Sequence, residues 1–170
     1  MNERKGFGRD QTMLAEPWRI TLIGGLRAER GGTTITRFKY QKVGGLLAYL
    51  AYHLPQVHSR EVLIDLFWPE SAPEAGRNNL SVALSSLRNQ FEPPGTPAHA
   101  VLRADRFSLS LNPQAVTTDV ADFEAAIKGA GRAGSGAERV QSLERAVDLY
   151  RGRLLPGMYE EWIVPEETRL

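Results

Sequence analysis

Hydrophobic positions recur along this chain with two different periods, and the switches between them divide it into elements. From Trp18 to Ala28 the pattern is strand-like, with Ile20, Leu22 and Leu26 in phase. The turn Glu29-Arg30-Gly31-Gly32 and the β-rich run Thr33-Thr34-Ile35-Thr36 follow, which predicts a hairpin. Val43, Leu46, Leu47, Leu50, Ala51 and Leu54 then repeat at helical spacing up to Pro55, an amphipathic helix. Gly44 and Gly45 lie inside it, each costing about 1 kcal/mol relative to Ala. Either something packs very close there, or tertiary burial carries the loss. A short second helix starts from Ser59 as cap, with Glu61 at the positive end of its dipole and Val62, Leu63, Leu66 and Phe67 as its buried side; Pro69 stops it.

The third helix has two unlike faces. Ser71-Ala72-Pro73-Glu74 has capping-box spacing with Ser71 at the N-cap, so the helix is expected to start near Ala72 and to run to the Pro93-Pro94 stop. At 3.6 residues per turn Leu84, Leu87 and Phe91 lie within about 40° of Leu80, while Asn78, Ser85 and Asn89 lie roughly opposite. A helix that only packs and solubilises usually turns Glu and Lys outward. This one has no acidic residue between Ala75 and Phe91.

After a Pro/Gly loop, Val101 to Leu111 predicts a second hairpin, with Phe107, Leu109 and Leu111 alternating and Asp105 near its turn. Val120, Phe123 and Ile127 mark a further helix and Val140, Leu143, Val147 and Tyr150 another, joined by a glycine-rich link from Gly129 to Gly136 as an antiparallel helical hairpin. Tyr159, Trp162 and Ile163 start a third helix that the chain end cuts off, as expected for a piece of a longer protein. Hairpin, three helices with the last longest, then hairpin is the order of an α+β winged helix-turn-helix. Its third helix enters the major groove, which is about 12 Å wide.

Charge sharpens the division. Residues 1 to 116 hold 14 Lys/Arg against 10 Asp/Glu, while residues 117 to 170 hold 7 against 10, although the net charge of the whole is only +1. This suggests a flexible tail over residues 1–17, a winged-helix DNA-binding domain over 18–116, and an all-α segment over 117–170. Asn112-Pro113 marks the boundary, so a fragment ending near Ala115 is expected to fold alone. With 42% hydrophobic residues a real core can be buried, and with no cysteine neither a disulfide framework nor a thiolate metal site can form, which suits a reducing cytoplasm. The first sixteen residues lack the apolar run of a secretory signal, and no stretch is long and apolar enough to span a bilayer.

The run "LIDLFWPESAPEAGRNNLSVALSSLRNQF" resembles the bacterial transcriptional activators of the antibiotic-regulatory-protein type, in which a winged helix precedes a bacterial transcriptional activation domain of tetratricopeptide-like helices. Phe67-Trp68-Pro69, the passage Pro73 to Leu80, and Leu87-Arg88 carry the likeness. It continues in "TTDVADFEAAI" and "LERAVDLYRGRLLPGMYEEW". The resemblance implies that Arg77, Asn78, Ser81, Ser85 and Arg88 face promoter DNA, a face to which helical spacing adds Asn89, that Arg103 and Arg106 form the wing, and that Lys39, Lys42 and Arg60 take phosphates. It also implies activation through RNA polymerase, with protomers paired as a homodimer on repeated half-sites. The small basic surplus makes affinity depend on dimerisation or on tandem sites.

Other chemistries find little support. Gly129 to Gly134 matches G-x-G-x-x-G, but a dinucleotide fingerprint follows a strand and opens a helix, and here a helix precedes it. His53, His58 and His99 lack zinc-protease spacing, and His53 and His58 are expected at the surface around Pro55. No Gly-x-Ser-x-Gly elbow is present, so neither enzyme nor cofactor is expected. The rival reading is a winged helix used only for protein contact, its helical segment serving as a partner-binding array.

Overall fold

The computed structural model describes residues 16–170, so the tail expected over residues 1–17 lies, apart from Glu16 and Pro17, outside the described residues. Gly24 and Gly25, at φ 89° and 137°, break the single strand expected over Trp18 to Ala28. A meander of β1 (Trp18–Thr21), β2 (Arg27–Arg30) and β3 (Thr33–Ile35) results in place of one hairpin. A fourth strand that the pattern did not reveal, β7 (Val116–Thr118), runs parallel to β1 with Trp18 opposite Val116 and Ile20 opposite Thr118. The sheet order is β3-β2-β1-β7.

Three helices pack beside this sheet: α1 (Gln41–Tyr52), α2 (Arg60–Phe67) and α3 (Pro73–Phe91). The glycine pair in α1 answers to close packing. A Cβ on Gly44 would lie 3.1 Å from the Phe38 ring, and one on Gly45 would lie 3.1 Å from Glu160 Oε1 and 3.2 Å from the Phe67 ring. On α2 the buried side is Leu63, Ile64 and Phe67, and Val62 is exposed, contrary to expectation. The Ser71 capping box does not form either. Pro73 occupies the first helical position, which moves the N-cap to Ala72 and takes Glu74 out of reach of the reciprocal bond. A second sheet, in the order β4-β6-β5, joins β4 (His58–Ser59) to the hairpin of β5 (Leu102–Ala104) and β6 (Ser108–Leu111).

The acidic half supplies α4 (Asp119–Arg132), α5 (Gly136–Leu149) and the short α6 (Ile163–Arg169). Gly129 and Gly131 belong to α4, which leaves only residues 133–135 as the link. Gly129 lets α5 approach, since a Cβ there would meet Ser142 Oγ at 3.4 Å. Ser135 caps α5 by accepting from Glu138 N, and the Glu138 carboxylate accepts from Gly134 N just before the N-cap, so α5 has the side-chain cap that α3 lacks. Among the described residues no helix is long and apolar enough to cross a membrane.

The expected boundary at 116/117 meets continuous structure. It falls inside β7, and Leu154, Leu155, Trp162 and Ile163 are buried in the same hydrophobic cluster as Trp18, Leu46 and Leu80. The buried Asp119 carboxylate accepts from the N–H groups of Leu22, Ile23 and Val120, each at 2.9 Å. Leu155 N donates to Leu22 O and Gly24 N to Arg153 O, at 2.9 and 2.8 Å. On the far side Tyr52 donates to Glu166 Oε2, and Arg169 bonds Tyr52 Oη and Glu124 Oε1, both at 2.7 Å.

His58 is likewise not a surface residue. It is buried, 5.0 Å from the Tyr49 ring and 5.8 Å from His53, which in turn lies 6.1 Å from Trp162. Burial pushes both imidazoles below their ordinary pKa, and for His58 the neighbouring His53 adds to the effect.

Two expectations arise here. A fragment ending at Ala115 loses β7, the Asp119 bonds and six apolar side chains of the main core, Val116, Val120, Leu154, Leu155, Trp162 and Ile163, so it should show a broad urea transition and bind a hydrophobic dye; a sharp transition would mean that the first core closes unaided. The depressed histidines bind fewer protons folded than unfolded, so stability is complete above the unfolded value of about 6.5 and falls as pH drops below it. Urea midpoints measured between about pH 8 and pH 5 should decline on acidification, and the decline should shrink in His58→Gln.

Candidate nucleic-acid interface

The candidate surface is built around α3. Gly76, Leu80, Ala83, Leu84, Leu87 and Phe91 take its buried side, which leaves Arg77, Asn78, Ser81, Val82, Ser85 and Asn89 exposed. Both ends of the helix are fixed. At the start, α2 comes so near that a Cβ on Gly76 would stand 2.5 Å from Ile64 Cγ2. At the end, Trp18 Nε1 donates to Phe91 O at 3.2 Å with the two rings 4.7 Å apart. Glu92 Oε1 then accepts from Val101 N and Leu102 N, both at 2.8 Å, which ties the β5–β6 hairpin to the helix terminus.

Two flanks extend this face. Lys39, just before α1, borders a shallow depression with Ser81, Val82, Ser85, Ser86 and Asn89. On the other side Arg60, Arg77 and Arg106 surround a larger hollow beneath the hairpin tip. Arg60 holds the pieces together, its backbone N–H donating to Phe107 O at 2.9 Å and its guanidinium reaching Asp105 O at 3.3 Å and Ser81 Oγ at 3.4 Å. The tip itself is set by Asp105, whose Oδ1 accepts from Phe107 N and Ser108 N at 2.7 Å while Oδ2 accepts from Ser108 Oγ at 2.9 Å. These bonds, the one from Phe107 N first, hold the Asp105 carboxyl below the ordinary aspartate range. Arg106 lies over the Phe107 ring at 5.5 Å. Arg103 projects from β5 into a separate hollow with Val57, His99 and Ser110.

Thus Arg77, Asn78, Ser81, Ser85, Asn89, Lys39, Arg60 and Arg106 come together, and Arg103 stands on the other side of the hairpin. Two of the expected contact residues are paired within the chain. Lys42 is engaged by the nearly buried Glu160 at 3.1 Å, since an acidic side chain so poorly solvated requires a counter-ion. Arg88 sits to one side of the face, about 80° from Leu80 as helical spacing gives, with a buried Nε 3.9 Å from Glu92 Oε2. Glu61 and Asp65 also line the arginine hollow, so that flank is mixed in sign. The sequence reading passed over Val82, 44% exposed in the middle of the polar face, and placed Phe107 in strand alternation although it is 73% exposed at the tip. Val82's angle about 160° from Leu80 was available to the same helical arithmetic.

No protein-family model and no curated protein matches the sequence. Among solved structures, that of Mycobacterium tuberculosis EmbR, in complex with a low-affinity phosphopeptide, matches with a TM-score of 0.74 at 23% identity over 91% of this chain. The chain spans 41% of that EmbR chain. The likeness shows a shared mixed α/β fold that takes in both the helices around α3 and the helical tail.

Because α2 and α3 meet at Gly76, the fold decides the sign of a substitution there. Ala at a helix position is normally better than Gly by about 1 kcal/mol, whereas overpacking costs about 1–3 kcal/mol. Ile64 Cγ2 sits on a branched Cβ and cannot swing aside as the end of a long chain could. Gly76→Ala should therefore lower the melting temperature; a rise would mean that the two helices part freely.

Proposed function

We propose that this chain is a sequence-specific DNA-binding transcription regulator in which α1 to α3 and the β5–β6 hairpin act as a winged helix-turn-helix, with α3 in the major groove. The observation that carries this reading is the outward face of α3, where exposed Asn and Ser stand on a stretch with no acidic residue from Ala75 to Phe91, bordered by Lys39, Arg60, Arg77 and Arg106. A carboxylate there would meet phosphates. Asn, Ser and Arg can take base edges and backbone oxygens. Arg103 on the far side of the wing serves the flanking phosphates.

The sequence resemblance to antibiotic-regulatory-protein activators and the fold shared with EmbR support the same assignment. By that resemblance the regulator activates transcription in the cytoplasm, contacts RNA polymerase through tetratricopeptide-like helices, and pairs on repeated half-sites. No catalytic role or cofactor is assigned. A second reading, protein contact alone, is favoured by the exposed stripe Val140, Leu143 and Val147 on α5.

Two substitutions on opposite sides of α3 separate the readings. Ser85 is exposed, so Ser85→Glu should change stability by no more than about 0.5 kcal/mol while it places a charge against phosphates and removes binding. Leu84→Ala, in the core, should cost about 2–5 kcal/mol while the folded fraction still binds. Thermal melts and gel shifts at low salt measure both. Unchanged binding in Ser85→Glu would reject α3 as the groove-facing helix.

A further inference from the structure

On the DNA-reading assignment just given, we infer that Val82 reads the C5-methyl group of a thymine and so determines part of the operator sequence. Asn78, Val82, Ser85 and Asn89 succeed one another at i, i+4, i+7 and i+11, and together they form the outermost stripe of α3. Three of them carry hydrogen-bonding groups. Val82 offers only methyls, and it offers them to solvent.

Its position is not explained by the core. Ala83 and Leu84 turn into the hydrophobic cluster, while Val82 is 44% exposed and belongs to neither the core nor its margin. A β-branched residue at an exposed helix position also forgoes a few tenths of a kcal/mol of helix propensity relative to Ala or Leu. Lys39, Ser81 and Ser86 stand around it in the shallow depression, so the two methyls form a small apolar floor within a polar rim.

In the major groove each base edge offers hydrogen-bond donors and acceptors, and thymine alone adds a methyl group. A valine pressed against any other base edge would strip water from polar atoms and return nothing for it. Asn78 and Asn89 match adenine, whose N6 amino group donates to the amide oxygen while N7 accepts from the amide N–H. Along the axis Asn78 precedes Val82 by about 6 Å, which spans about two base-pair steps of 3.4 Å. The half-site therefore carries an adenine and a thymine about two positions apart, read by Asn78 and Val82.

The test uses the whole chain and duplexes it selects from a random pool. Each thymine of the best duplex is replaced singly by deoxyuridine, which removes the C5-methyl and leaves every hydrogen-bonding group in place. One replacement should weaken wild-type binding by about fourfold, the equivalent of one buried methylene. Val82→Ala should bind the thymine and uracil duplexes equally at that position, and its circular dichroism should match the wild type because the site is exposed and Ala favours helix. If no replacement matters to the wild type, or if Val82→Ala keeps the same preference, the assignment to Val82 is overturned while DNA reading by α3 stands. If the pool yields no enriched duplex at low salt, DNA reading itself fails and takes this inference with it.

Discussion

One buried carboxylate organises the joint on which the rest of the molecule depends. Asp119 stands where β7 becomes α4, and its two oxygens collect the N–H groups of Leu22, Ile23 and Val120. Burial raises its pKa against the opposing pull of those donors. Each of the three backbone groups, if left unpaired in the interior, would cost about 1–3 kcal/mol. The chain leaving β1 and the chain entering α4 are thus held at one point, and the parallel pairing of β1 with β7 follows from that joint. Around it the Arg19–Asp122 ion pair on the surface and the Leu155–Leu22 bond within extend the same contact.

This joint makes the acidic half a structural partner of the basic half. Lys42 and Glu160, Tyr52 and Glu166, and Trp162 beside Tyr49 and His53 repeat the pattern along the length of α1. Charge asymmetry along a chain indicates where partners of opposite sign can bind, but here part of it is consumed inside the molecule. Lys42 shows the consequence most directly, because its ammonium neutralises a carboxylate of the C-terminal half.

The outward face of α3 depends on the same framework from the other side. Gly76 admits Ile64 at the start of the helix; Trp18 and Glu92 bind its end to β1 and to the β5–β6 hairpin. Arg60 joins hairpin tip to helix through backbone and side chain together. A surface held at both ends presents its side chains in one register, which is what recognition of a stacked array of base edges requires. Its cations are few and partly offset by Glu61 and Asp65, so neutral hydrogen-bonding groups and the apolar patch at Val82 carry more of its chemistry than net charge does.

By itself the sequence determined the helical periods of α1, α2 and α3, the hairpin around Asp105, the helical pair α4–α5 and the core side of α3, because those follow from spacing within a single element. The same spacing brought Asn78, Ser85 and Asn89 to one side of α3. What only the tertiary structure decided were contacts between distant segments. The parallel strand β7, the Asp119 joint, the burial of His58, and the pairing of Lys42 with Glu160 bring together residues that no local period relates. Likewise Gly44 and Gly45 read as helix defects until their neighbours Phe38, Glu160 and Phe67 are in place. Composition changes near residue 116, but a hydrophobic core closes on whatever apolar surface the chain returns to it, and here part of that surface comes from Leu154, Leu155, Trp162 and Ile163.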